Sequence, residues 1–87
     1  MHASVVTVTL SDADAAVREV EQRVVPEVSG APGFVAGYWT RDGDRGTGFV
    51  VFESEDAANA AAERARSATA ENWTVDSVEV REVVAHA

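Results

Sequence analysis

The sequence predicts a single α+β domain in the order strand-helix-strand-strand-helix-strand. Three observations predict it. Four runs (4–10, 34–39, 47–52 and 73–84) are apolar and β-branched or alternate in polarity. Two stretches between them carry apolar or small residues at helical spacing, and an Asp-Gly turn joins the middle two runs. Right-handed crossovers in each half make the four-stranded sheet antiparallel, in order 4-1-3-2, with both helices on one face. The domain is taken as residues 1–87, with no linker or low-complexity segment inside it.

The first strand, "SVVTVTL", is β-branched on both faces, with Val6, Val8 and Leu10 on one and Val5, Thr7 and Thr9 on the other. The first helix opens on Ser11 with Asp14 three residues on, a capping-box spacing. Val17, Val20, Val24 and Val28 form one apolar stripe, and Pro26 should kink or interrupt the last turns. "SGAPG" stops the helix and "FVAGYW" is the second strand. "TRDGDRG" makes a hairpin loop into the third strand, "TGFVVF". Ser54 is the expected N-cap of the second helix, with Glu55 and Asp56 in its first turn. Its buried face is mostly alanine (Ala57, Ala58, Ala61, Ala62, Ala65), so this helix can lie close to the sheet. "WTVDSVEVREVV" alternates as the last strand.

Composition narrows the function classes. With no cysteine, disulfides and thiolate metal sites are excluded. A domain of 87 residues gains only modest stability from its own core, so oligomerisation is a natural supplement. The net charge is −8 and all seven basic residues are arginines, a balance that repels phosphate backbones and anionic lipid. No run approaches a membrane span, and no charged region followed by a hydrophobic stretch marks the N-terminus. The expectation is a cytoplasmic protein with no nucleic-acid or membrane partner.

If the hairpin pairs without interruption, Phe34, Ala36 and Tyr38 lie opposite Phe52, Val50 and Gly48 and face the helices. Val35, Gly37 and Trp39 then share the helix-free face with Phe49 and Val51, and Val6 and Val8 are assigned there too. That face is more apolar than a monomer ordinarily leaves wet, and a second copy of the sheet would cover it.

An APGF segment leading into a strand, a Gly-rich hairpin, "VVFESEDAANAAAE" and a last strand ending in "VREVVAHA" resemble the dimeric α/β-barrel superfamily over nearly the whole chain. The resemblance implies a ferredoxin-like protomer, two of which pack sheet on sheet. It implies a homodimer in which the space between sheet and helices or between the sheets can hold a ligand; the expectation here is a small apolar or aromatic molecule between the sheets. Members include antibiotic biosynthesis monooxygenase-like enzymes that need no cofactor, haem-degrading enzymes and polyketide cyclases. The haem-degrading branch uses an Asn on the first strand and a Trp and a His on or after the second helix. Here the first strand has no Asn, and the second helix offers only Asn59 among alanines, with no Trp and no His. The quinone-forming monooxygenases rely on Asn, Trp and Tyr; Asn59, Trp39 and Tyr38 exist but do not match position by position. No catalytic residue is carried over, and no cofactor is expected.

"RGTGFVVF" also resembles the RNA-recognition motif on the third strand, with Thr47 in place of its first stacking aromatic. The first strand supplies no ring and the chain no lysine, so only Phe49 of the usual three rings remains and RNA binding is an outsider reading.

The candidate residues for a ligand pocket or an interface are Trp39, Phe49, Val51, Tyr38, Arg81 and Glu79. Trp39 serves either as an interface anchor or as a pocket wall, and Tyr38 either as core with its hydroxyl at the rim or as pocket. Glu79 and Arg81 share one face of the last strand with Val75 and Val83, as a polar spot in a cavity or as edge-strand charges. His2 and His86 lie near neighbouring strand ends, too few for a metal site. A cofactor-independent monooxygenase acting on an aromatic or polyketide-like substrate is the alternative to simple binding.

Overall fold

The computed structural model describes residues 1–87. Strands β1 (His2–Leu10), β2 (Phe34–Asp42), β3 (Arg45–Phe52) and β4 (Trp73–Glu82) form one antiparallel sheet in order β2-β3-β1-β4. The first helix runs as α1 (Ala13–Glu19), a π turn (Val20–Val24) and α2 (Val25–Ser29); the second is α3 (Glu55–Ser67). This is the ferredoxin-like topology expected from the sequence, with β2 and β4 at the edges.

Local chemistry sets the element ends. The first helix is capped by Asp12, not Ser11: the Asp12 carboxylate accepts from the Ala15 N–H at 3.1 Å. Ser11 instead joins the loop before β4, its N–H donating to the Asn72 carbonyl at 2.9 Å and its hydroxyl to the Glu71 carbonyl at 3.2 Å. Pro26 does not end the helix. The wider π turn sits immediately before it, where an ordinary turn would press the proline ring on the carbonyl four residues back. Ser54 caps α3 as expected, accepting from the Ala57 N–H at 3.1 Å. The hairpin is tighter than expected: β2 and β3 run on to Asp42 and Arg45, and Gly43 turns the chain at a φ of 61°.

The two helices meet the sheet differently. Ala58 and Ala62 are fully buried, so α3 lies flush against β1, β3 and β4. Ser4 fastens the contact by donating its hydroxyl to the Ala58 carbonyl at 3.2 Å. Fully buried Phe52 packs at this junction, with Phe34 edge-on to it at 6.4 Å between centroids. The first helix presents valines instead and touches the sheet chiefly through α2 against β2. Ala58→Leu should therefore push α3 off the sheet and lower unfolding stability by about 1–3 kcal/mol in urea denaturation.

Candidate functional site

Two β-bulges decide which side chains meet under the first helix. In β2, Phe34 pairs with Phe52 but Ala36 pairs with Val51, so Val35 is an extra residue. Every later side chain of β2 is thereby turned over relative to an uninterrupted hairpin. Trp39, expected on the helix-free face, stands on the helix face opposite Gly48; Tyr38, expected inside, stands outside opposite Phe49. In β4, Ser77 pairs with Thr7 but Val75 pairs with Val8, leaving Asp76 as the extra residue. Thr9 holds that bulge by donating its hydroxyl to Asp76 Oδ2 at 2.7 Å. Trp73, opposite Leu10, is brought to the helix face with Val75, which no longer shares a face with Glu79 and Arg81.

The result is a cavity of about 490 Å³ between the sheet and the first helix. That size is ordinary for a small-molecule site. Its roof is the stripe Val17, Val20, Val24 and Val28; its floor includes Val6, Val8 and Leu10, which correct the earlier assignment of Val6 and Val8 to the helix-free face. Both tryptophans of the chain border it.

Glycines make the floor. A Cβ on Gly37 would come within 2.8 Å of the far edge of the Trp39 indole, and one on Gly48 within 3.1 Å of its Nε1. The ring therefore spans both positions, lying along the sheet and leaving the volume above it open. A Cβ on Gly46 would meet Val8 at 2.9 Å. Trp39 forms no hydrogen bond within the chain, and no polar side-chain atom is sealed off without a partner, so its N–H is reachable.

One polar cluster stands beside Trp73. Glu19 accepts from Arg23 at 2.5 Å and from the Asn72 amide at 3.0 Å, tying the first helix to the loop before β4. Arg23 also lies 6.0 Å from the centre of the Trp73 ring. The hydrogen bond from Arg23 holds the Glu19 carboxyl below its ordinary range; burial opposes this, and Asn72 adds to the lowering.

The helix-free face carries a different set. Tyr38 (67 % exposed), Phe49 (40 %) and Val35 (44 %) cluster with Val51 on the β2–β3 side. The β4 side is polar, with Arg81 paired to Glu79 above Ala3 and Val5. Of the six candidates, the register puts Tyr38, Phe49, Val51, Glu79 and Arg81 on this face and Trp39 on the helix face; Trp39 and Tyr38 both border the cavity. Asn59 is exposed on α3, away from the cavity wall. His2 Nε2 stands 3.4 Å from Glu55, and no cluster of three metal-ligating side chains exists. The sequence reading missed Trp73 and Arg41 as cavity residues. The chain holds only two tryptophans, and that they fall in the two edge strands was the available signal.

No family model and no curated protein matches the chain. Solved structures do. MupZ from Pseudomonas fluorescens superposes with a TM-score of 0.67 at 13 % identity, over 91 % of this chain. The chain spans 65 % of the length of MupZ. MhuD, a heme-degrader from Mycobacterium tuberculosis with two hemes bound in its active site, gives 0.63 at 22 % identity, covering 100 % of this chain and 99 % of that one. An arginine-to-serine mutant of MhuD with two manganese protoporphyrin IX bound per active site gives 0.68 at 20 % identity, covering 100 % and 98 %. The chain shares the ferredoxin-like fold of these structures. No helix is long and apolar enough to cross a membrane.

Two outcomes test the site. Gly37→Ala should displace the Trp39 indole, visible as a shift in tryptophan emission with a stability loss of about 1–3 kcal/mol. Glu19→Gln should cost up to about 1 kcal/mol at neutral pH. Because folding lowers the Glu19 pKa, its contribution is present above the unfolded value, near 4.5, and fades as the pH falls through the folded one. In urea denaturation the gap between wild type and Glu19→Gln should close as the pH drops below 4.5.

Proposed function

We propose that this protein binds a small apolar or aromatic molecule in the cavity under its first helix, and that it works as a homodimer joined through the helix-free face. The single observation that carries the first part is a 490 Å³ space walled mainly by apolar side chains and both tryptophans. The volume lies between sheet and helix within one protomer, a different place from the inter-sheet space expected at first. The structural neighbours include a protein with hemes in its active site, which supports a ligand-holding use of this fold.

Haem iron itself does not fit the donor set. No histidine, cysteine or methionine lines the cavity; His2 stands on β1 and His86 beyond the end of β4. No step is derived through that group. A flat apolar molecule needs no such ligand: it needs area against Trp39, Trp73 and the valines, worth about 25 cal/mol per Å² removed from water. The monooxygenase alternative has less support, because Asn59 is not at the cavity and Tyr38, though it borders it, pairs with Phe49 on the opposite face of β2 from Trp39.

The second part rests on the exposed cluster of Tyr38, Phe49 and Val35. An aromatic pair beside aliphatic side chains is the composition of an interface centre. A cytoplasmic setting fits a cysteine-free, acidic chain.

Because adjacent strand residues serve opposite faces, the two parts separate experimentally. Trp39→Leu should weaken binding of an apolar dye about tenfold while light scattering still reports a dimer. Tyr38→Ala should weaken dimerisation at least about tenfold and leave dye binding by the protomer intact. Wild-type chain that is monomeric at high concentration, or a cavity that takes no apolar dye, would sink the corresponding half.

A further inference from the structure

Arg41 is the one cation on the cavity wall, and its charge is almost unclaimed. It follows Trp39 by two residues on the helix face of β2, opposite Gly46, where the neighbouring side chains Val8 and Leu10 are apolar. Its contact within the chain is with Asp14, whose Oδ1 lies 3.9 Å from Arg41 Nη1 without a hydrogen bond. Asp14 is itself 88 % exposed and largely hydrated, and the Arg41 side chain is 45 % exposed. Compare Arg23 and Arg66, each held to a glutamate at 2.5 Å. A guanidinium on an apolar wall with its donors free is arranged to receive a planar anion.

We propose, building on the cavity reading, that the ligand is an apolar or aromatic carboxylate. Its ring system lies against Trp39 and the valines, and its carboxylate takes a bidentate bond from Arg41 in place of Asp14. The reachable Trp39 N–H is a second donor two residues away on the same face. Two features oppose an anion. The net charge of −8 repels it at long range, but salt screens that beyond about 8–10 Å. Glu21 also borders the cavity, on the exposed flank of the valine stripe.

The test is calorimetric titration of three probes that share one ring system: naphthoate, naphthamide and naphthylmethylammonium. Naphthoate should bind about tenfold more tightly than naphthamide, the value of a charged hydrogen bond at a partly wet site. Arg41→Gln should bring naphthoate down to the affinity of naphthamide and leave naphthamide unchanged, which a merely structural role would not do. Asp14→Asn should tighten naphthoate about two- to threefold by removing the competing carboxylate. Equal binding of naphthoate and naphthamide, a preference that survives Arg41→Gln, or tighter binding of the ammonium probe would each overturn the role of Arg41. Failure of all three probes would overturn the cavity reading and this inference with it.

Discussion

One extra residue in each edge strand governs the rest of the molecule. A strand has a side-chain period of two, so a single inserted residue exchanges its two faces from that point on. Val35 does this in β2 and Asp76 in β4. Between them they turn Trp39 and Trp73 to the same side, under the first helix. Without either bulge the cavity would lack a tryptophan wall, and the helix-free face would carry an indole that no helix could cover. Edge strands tolerate such insertions because only one neighbour has to follow the change.

The cavity also depends on how unlike the two helices are. Alanines let α3 lie flush, and Ser4 and Phe52 fill what space remains. The first helix has valines at the same depth and a π turn in its middle. The π turn widens the helix just above Trp39 and Trp73 and absorbs the proline that follows. Glycines at positions 37 and 48 then let the Trp39 ring lie low. Small residues on one side and a stand-off helix on the other leave a ligand-sized volume in a domain with only nine buried residues.

Much of the fold was legible in the residues. The valine stripe, the alanine face, the Ser54 cap and the Asp-Gly turn are local signals, and the strand order follows from crossover handedness. The faces of the edge strands were not legible. Val35 and Asp76 have no local mark that distinguishes a bulged residue from a paired one, and an uninterrupted hairpin placed Gly37 opposite Phe49 without conflict. That error moved Trp39 and Tyr38 to each other's side, and the matching one in β4 put Val75 with Glu79 and Arg81. The grouping of Val6, Val8 and Leu10 on one face was right, but nothing in β1 alone says which face carries the helices. Ser4 held the clue: a serine on the same face can reach a helix carbonyl at close approach.

The energetics of so small a core give the cavity a further meaning. The valines of the first helix gain full benefit from burial only when something apolar fills the space below them. With that space filled by solvent, the helix rests on α2 against β2, on Glu19 with Asn72, and on the long contact of Asp14 with Arg41. A ligand that occupies the cavity therefore supplies contacts the chain itself leaves unmade, and it stabilises the folded state by mass action. The same reasoning holds for the opposite face, where Tyr38 and Phe49 contribute little while exposed. The bulges thus leave each side of one sheet incomplete in a different way. A small molecule suits the enclosed side, and a second protein surface suits the open one.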